Sequence, residues 1–497
     1  MKARTRMATD IPPSITTPDR VETRLGTLNF FDGLPDEATV QKVYDNLDFQ
    51  RGVQAFLTAI PAASLYAMRT GFRTFGPDNE TVLIAESLLD SRSLFLTANS
   101  ETVYNCVWLD TTNGPLVIEV PPKVLGMIDD FWCRFVGDVG NAGQDKGKGG
   151  RYLLLPPGFT GAVPEGYFVL RSRTFGNLMF FRCFIVKGDV RSAVESAKKD
   201  FRAYPLARAA SPPAMNFVNM SGKSFNTIHA NNALFFEEVA HVVQEEPLDA
   251  TDPETRGLLA AIGIQKGRPF APDARMQRIL DEAAAVGNAT ARAILFSPRD
   301  RDAYYYPDSA WKTFFIGGDH EFSPGGVLNP EARTLFFYVG VGISPAEAVK
   351  MVGIGSQYAM ADRDARGRYL DGGKTYRLHL PPDIPAKDFW SMVVYDPQTR
   401  SMLQTDQQFP SVGSQKQGLL VNPDTSVDVY FGPEPPAGKE ANWIQTLPGK
   451  GWFVALRLYG PLEPWFDKTW RPGEIEEISL KTRGEDVEKV ASVGAAS

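Results

Sequence analysis

The chain has 497 residues, of which 43% are hydrophobic and 22% charged, and its formal net charge is −7 at pH 7. This is the composition of a globular protein too long for one ordinary domain. The charge favours neither nucleic acid nor an anionic membrane as a partner, no basic cluster interleaves with aromatics, and no apolar run approaches the ~20 residues of a membrane span.

Residues 1–25 are polar and rich in Pro and Thr, and read as a loose arm. The first residues lack the apolar stretch of a secretory signal, so the chain as given is expected in the cytoplasm. A periplasmic or secreted location is the alternative if a leader has been removed. Residues 35–71 read as helical, with Asp36 as cap, apolar residues at helical spacing and a break expected at Ile60-Pro61. From 81 to 188 the pattern turns to short strands, at 82–84, 93–96, 102–109, 116–120, 133–136, 152–155, 167–170 and 178–186. The glycine-rich stretch 140–150 is a surface loop that lacks the strand-loop-helix order of a phosphate loop, so no nucleotide cofactor is expected. Helical patterning returns at 189–204, 233–246, 252–262 and 273–295. Strands resume at 313–316, 335–341, 375–380, 391–395, 418–421, 427–431 and 452–459, with a short helix at 344–351 capped by Ser344. The tail after Leu480 is charged, then small, and reads as frayed. Cys106, Cys133 and Cys183 lie inside apolar runs, and an odd count without regular spacing points to buried free thiols.

One unit recurs. Pro121-Pro122 and Pro381-Pro382 each end an alternating strand, Asp130-Phe131-Trp132 and Asp388-Phe389-Trp390 follow, and Asp138 and Asp396 each stand six positions after the Trp. Upstream, Leu109-Asp110 matches Leu370-Asp371; downstream, Tyr152-Leu153-Leu154-Leu155-Pro156 matches Leu419-Leu420-Val421-Asn422-Pro423. Such repetition implies two related β units, with a ligand groove between them. The expected fold is therefore α+β: two related β-sandwich, jelly-roll-like units joined by a helical segment, with an N-terminal helical part. The expected divisions are an arm over 1–25, helices and the first sandwich over 26–188, a helical connection over 189–303, the second sandwich over 304–480 and a flexible tail over 481–497.

No strong catalytic signature is present: neither HExxH, nor a GxSxG elbow, nor a Walker pattern occurs. Asp319, His320 and Glu321 form a loop cluster with three potential metal ligands, whereas Glu237, His241 and Glu245 share one helix face that reads as solvated charge. His229 precedes a helix and is a candidate acid or base. The polar segment 97–104 offers Asn99, Glu101 and Tyr104 just before a strand, and Tyr305, Tyr306, Trp311 and Lys312 offer stacking surface plus charge. Aromatics with a few directed polar groups suit a sugar-like or other small organic ligand. Arg134 interrupts an apolar strand and needs a carboxylate if it points inward, Glu101 and Asp138 being available.

Several of these stretches look familiar. Leu25-Gly26-Thr27-Leu28-Asn29-Phe30-Phe31-Asp32-Gly33-Leu34-Pro35, Tyr44-Asp45, Asp48-Phe49-Gln50-Arg51, residues 97–110 and Gly114-Pro115 resemble the bacterial family called domain of unknown function 1254. Tyr369-Leu370-Asp371-Gly372, Phe389-Trp390-Ser391, Tyr395-Asp396 and Arg457-Leu458-Tyr459-Gly460-Pro461 resemble its companion, domain of unknown function 1214. Where the first family usually has Thr-Pro-Asn and Asp-Thr, this chain has Thr97-Ala98-Asn99 and Glu101-Thr102. The resemblance implies β-sandwiches with a helical part and brings no established reaction. The expected function is an enzyme, a hydrolase of a small organic or sugar-like substrate, working where 97–104 meets 304–312. Glu101 would be its acid/base, Arg134 would stabilise developing charge, and Tyr104 would orient the substrate. A non-catalytic ligand-binding protein stacking its ligand on Tyr305 and Trp311 is the rival. A divalent-metal enzyme using Asp319, His320 and Glu321 is the third reading. A homo-oligomer is compatible with any of them.

Overall fold

The computed structural model describes residues 9–185 and 188–479. The readings for residues 1–8, for the tail and for Val186 lie outside the described residues. The fold is α+β, with several sheets and a long N-terminal helix.

Where the loose arm was expected to continue, Arg20–Thr23 and Gly26–Phe31 pair as an antiparallel hairpin. Helix α1 (Glu37–Arg73) starts where Asp36 accepts a hydrogen bond from Thr39 N at 2.7 Å. It runs 37 residues, about 55 Å at the standard rise. Pro61 does not end it. Residues 59–65 are all buried, and tertiary packing offsets the one lost backbone bond. The remaining helices are α2 (Val190–Asp200), α3 (Leu234–Glu245), α4 (Pro253–Ala261), α5 (Ala274–Phe296), α6 (Pro330–Val339) and the single turns α7 (Pro345–Ala348) and α8 (Glu463–Phe466). Helices α1 and α5 touch through glycine: a Cβ on Gly52 would fall 2.7 Å from the Ala283 Cβ.

Helix α6 corrects the strand expected at 335–341. Its residues 334–339 are all buried, so no polar face marks a helical period, and an apolar run of that length reads as strand or helix alike. Asn329 decides the matter by capping Ala332 N at 2.9 Å, with Pro330 at the first position. Residues 418–421 form no strand, Arg202–Pro205 is a strand where helix was expected, and the strand Val124–Asp130 carried no expectation at all.

The repetition is written in the strand order. The first unit has a four-stranded sheet ordered Phe168–Arg171, Gly150–Leu155, Leu116–Val120, Arg202–Pro205. Its larger sheet is ordered Asn216–Asn219, Thr81–Ile84, Thr102–Asp110, Gly176–Phe184, Val124–Asp130, Phe135–Gly140. The second unit has a four-stranded sheet ordered Trp443–Gln445, Val427–Gly432, Tyr376–Leu380, Ile475–Glu477. Its larger sheet is ordered Lys312–Thr313, Ser356–Ala361, Phe453–Pro461, Ala386–Tyr395, Ser411–Gly413. Leaving aside Asn216–Asn219 in the first unit, the strands of these sheets correspond one to one in chain order, in neighbours and in direction. Even the parallel pair is shared, between Gly150–Leu155 and Phe168–Arg171 in one unit and Val427–Gly432 and Trp443–Gln445 in the other.

The Asp-Phe-Trp triplets do not correspond, although their repetition first suggested the duplication. Tyr104 faces Arg182 across one strand pair and Tyr358 faces Arg457 across the equivalent pair. In that frame Arg182 lies beside Leu125 and Arg457 beside Ser391, which sets Asp130 against Asp396 and Trp390 against Val124. The matched aspartates make matched turns. Asp130 accepts from Trp132 N at 2.8 Å, and Asp396 accepts from Gln398 N at 2.7 Å. Likewise the counterpart of Gly150–Leu155 is Val427–Gly432, not residues 419–423.

Alternation sends each large sheet's side chains two ways. Val103, Val107 and Leu109 join their own small sheet in one apolar cluster, while Tyr104, Cys106 and Trp108 join a central core with the helices. In the second unit Val454, Leu456 and Leu458 pack inward, and Phe453 and Ala455 face that same central core. Trp132 belongs to the central core and Trp390 to the second unit's core. Trp132→Ala and Trp390→Ala are each expected to cost about 3–5 kcal/mol, read as a drop in the urea midpoint at constant m. An unshifted midpoint for either would contradict its place in a core.

Candidate functional site

The two equivalent cross-strand pairs meet. Tyr104 with Arg182 from the first unit and Tyr358 with Arg457 from the second line one cavity of about 60 Å³ in the central core. Its other walls are largely apolar, among them Phe95, Phe180, Phe314 and Phe336. Both arginines are nearly inaccessible, 5% exposed for Arg182 and 6% for Arg457.

Their surroundings differ. Arg182 forms a buried ion pair through Nη2 with Glu347 of α7, and Glu347 also accepts a 2.7 Å bond from the Tyr358 hydroxyl. Arg457 has no carboxylate within ion-pair distance among the described residues. Its Nη1 donates to Thr97 O at 2.9 Å and to the Tyr395 hydroxyl at 3.2 Å, and its Nε donates to the Tyr459 hydroxyl at 3.2 Å. Its Cζ lies 4.6 Å from the Tyr358 ring centroid. Nη2 has no hydrogen-bond partner among the described residues.

The segment before the strand Thr102–Asp110 ties the units together. Asn99 closes its own turn by accepting from Glu101 N at 3.0 Å and Thr102 N at 3.1 Å, and it donates across to the Tyr459 hydroxyl at 2.7 Å. Asn99 N donates to the Tyr104 hydroxyl at 3.1 Å. Thr97 N donates to Arg400 O at 2.9 Å, and Thr97 Oγ1 donates to Val339 O at 3.0 Å.

Of the residues singled out from sequence, Tyr104 reaches the cavity and Asn99 buttresses it. Glu101 is buried beside them but does not line the cavity. Its carboxylate takes Ser100 N and Oγ, and Ser100 Oγ contacts Ser411 Oγ at 2.9 Å. Burial raises its pKa, against Ser411, Ser100 and the field of Arg457. Arg134 pairs with neither Glu101 nor Asp138. The turn at Asp130 folds it back, so that Nε donates to Asp130 Oδ2 at 2.7 Å. The expected cleft between 97–104 and 304–312 is not formed, because the second stretch covers the core of its own unit. Trp311 is fully buried and donates to Gly473 O at 2.8 Å, which rules it out as a stacking platform. Lys312 is paired in the interior with Asp362 at 2.7 Å. Tyr305 donates to Tyr358 O at 2.8 Å, and Tyr306 lies under Arg471.

The metal candidates do not converge. Asp319 caps its own loop through Glu321 N and Ser323 N, and among the described residues no three His, Cys, Asp or Glu side chains are placed to hold an ion. His241 stacks on Tyr66, and Glu245 pairs with Arg69. Burial, with Arg400 nearby, pushes the His229 imidazole down to about 3, so it is a neutral ring in a core rather than an acid.

Residues 79–205 match the family described as Protein of unknown function (DUF1254), and residues 355–463 match Protein of unknown function (DUF1214). The chain carries these two families in tandem. The DUF1254 match opens and closes with the first unit's paired sheets, and the DUF1214 match spans the strands from Ser356–Ala361 to Phe453–Pro461. The VPA0106 protein from Vibrio parahaemolyticus has a similar fold, at a TM-score of 0.55 and 17% identity over 87% of this chain and 100% of that one. An uncharacterized protein from Burkholderia cenocepacia aligns at a TM-score of 0.40 and 11% identity over 88% of this chain and 96% of that one. No curated protein matches the chain. Among the described residues no helix is long and apolar enough to cross a membrane.

Sequence reasoning missed Arg182, Arg457 and Glu347. A signal was there: in Phe453-Val454-Ala455-Leu456-Arg457-Leu458-Tyr459 the arginine takes a position whose parity matches the core-facing Phe453 and Ala455.

Two further carboxylates stand near Arg182's partner. Burial lifts Asp129 well above its usual range, with Asp130, Asp138 and Glu347 adding to the rise, and its Oδ1 has no partner. Burial also pushes Asp138 up to about 7, with Glu347 contributing and a Ser344 hydrogen bond opposing. A carboxyl held at about 7 in the fold and near 3.8 in the unfolded chain binds its proton more tightly when folded. The stability of the parent relative to Asp138→Asn is therefore expected to fall as pH rises from about 4 to about 7, then to level off. Urea midpoints of both proteins across that window check it, and a constant difference would show that Asp138 is not strained by ionisation.

Proposed function

We propose that the two β units are copies of one jelly-roll-like sandwich, and that the cavity between their equivalent faces binds a small organic anion of short-chain carboxylate type. The observation that carries this is the uncompensated guanidinium of Arg457. Its counterpart Arg182, at the same place in the other unit, is neutralised by Glu347. A buried cation left without a counterion costs several kcal/mol, and an entering carboxylate would supply one to the free Nη2. Glu101 lies behind the site outside ion-pair distance of Arg457, and burial raises its pKa. The cavity of about 60 Å³ matches roughly two waters of ~30 Å³ each, hence a carboxylate with a short carbon stub against the aromatic walls.

A hydrolase acting on an ester or amide of such an acid is the second reading. It is favoured by the hydrogen bond between Glu347 and the Tyr358 hydroxyl at the cavity wall. In that reading Glu347 takes the place that sequence reasoning gave to Glu101.

Calorimetric titration with acetate, propionate and butyrate tests the binding. Arg457→Met is expected to weaken the best binder by about 10–100-fold, the loss of one charge-assisted hydrogen bond, while Arg457→Lys loses less. Absence of heat with every acid at millimolar concentration would overturn the proposal. For the second reading, turnover of p-nitrophenyl acetate should fall at least 100-fold in Glu347→Gln. Turnover that this change leaves intact would remove the hydrolase.

A further inference from the structure

A second cavity of about 290 Å³ opens where five distant segments meet: α1 at Thr58, the turn from Asp130 to Phe135, the strand end at Arg171 and Arg173, the start of α4 at Asp252, and the stretch from His320 to Arg333. It carries four guanidinium groups, from Arg134, Arg171, Arg173 and Arg333, against the carboxylates of Asp130, Asp252 and Glu321. These charges do not cancel. Asp130 is used by Arg134, at 2.6 Å. Asp252 caps α4, accepting from Thr255 N at 2.9 Å and Thr255 Oγ1 at 2.6 Å, and its charge also acts on Arg333. Glu321 remains, on the exposed rim. Arg171, Arg173 and Arg333 have no ion-pair partner among the described residues. Four guanidiniums against three carboxylates leave an excess of one positive charge in the cavity lining.

The innermost of these is Arg333. It is half-buried, its one hydrogen bond goes to Thr58 O at 2.9 Å, and burial holds it below the usual arginine range. A cation already partly withdrawn from water binds an incoming anion with less further desolvation. The frame around it is rigid: Thr174 Oγ1 accepts from Phe131 N at 2.8 Å, which fixes the Arg173 segment against the Asp130 turn. Trp132, Phe135 and Phe337 supply aromatic wall beside the charges.

We propose that this pocket is a second ligand site, for the dianionic head of an organic phosphate monoester carrying an aromatic or other planar group. Arg171, Arg173 and Arg333 are free of ion pairs among the described residues, and guanidinium forks suit phosphate oxygens. The volume admits a head group with one ring against Trp132. Inorganic phosphate shares the head-group chemistry but not the ring.

Calorimetric titration of the full chain at low ionic strength with phenyl phosphate, and separately with inorganic phosphate, tests this. Phenyl phosphate should bind, more weakly as salt is added, and several-fold more tightly than inorganic phosphate. Arg333→Gln and Arg173→Gln should each weaken it by about 10–100-fold. Arg173 is exposed, so its substitution does not threaten the fold if Arg333→Gln proves unstable. Absence of binding in the parent, or unchanged affinity in Arg173→Gln, overturns the site. Equal affinity for inorganic phosphate overturns the organic-ester assignment.

Discussion

The docking of the two units turns on a guanidinium held in the core between them. Arg457 projects from the second unit's large sheet into the core shared with the first unit, and it is held there by oxygen atoms of both. The Thr97 carbonyl comes from the first unit, and the phenols of Tyr395 and Tyr459 come from the second. Neutral acceptors solvate the cation but do not neutralise it, so the site remains electrostatically unfinished. The same residues fix how the units dock. Asn99 reaches Tyr459, Thr97 reaches Arg400 and Val339, and Tyr395 reaches Ala98 O at 2.8 Å. Two apolar faces alone could slide past one another, whereas these directional bonds set a single register.

The repeated strand order explains why such a junction exists. Each large sheet buries one face against its own small sheet, and its other face would be an exposed apolar surface in an isolated unit. Docking the two faces around α1, α5 and α6 covers both. It also brings equivalent positions together, which is why an arginine opposite a tyrosine comes from each side. The segment between Lys312–Thr313 and Ser356–Ala361, inside the second unit, then breaks the likeness. Helix α7 supplies Glu347 to Arg182, and nothing comparable reaches Arg457. Equivalent strand positions thus hold a paired cation on one side and an unpaired one on the other.

Much of the fold is legible in the sequence, because local rules carry it. Asp36, Asp252 and Asp273 cap their helices as their type and spacing predict, and the Pro-Pro pairs mark equivalent strand ends. What is not legible depends on partners far along the chain. The run at 335–341 looks like a strand because all its sides are buried, and a lost periodicity cannot choose between helix and sheet. The triplets mislead because similar words fall at different strand positions, so only the cross-strand partners of Arg182 and Arg457 set the true frame. At the site, Tyr104 and Asn99 are found because they sit in a polar segment before a strand. Arg182 and Arg457 are hidden inside apolar strands, and Glu347 inside a helix turn, where one charged residue looks like an edge position facing solvent.

The two buried arginines also separate structure from function on physical grounds. An ion pair that only holds two elements together gains by neutralising both partners, as Arg182 and Glu347 do, and as Lys312 and Asp362 do within the second unit. If Arg457 served only to hold the units together, the phenols of Tyr395 and Tyr459 could bond each other or a neutral donor at smaller desolvation cost. Retaining a charge there, with one nitrogen aimed away from every described acceptor, disfavours the empty state relative to one in which an anion completes the shell. Two carboxyls near Glu347 feel the same burial. It raises Asp129 well above its usual range and Asp138 to about 7, and neither lies within ion-pair distance of Arg457. The burial that raises those two carboxyls is the same burial that leaves the guanidinium in want of a counterion. Any water entering the cavity would weaken both effects together.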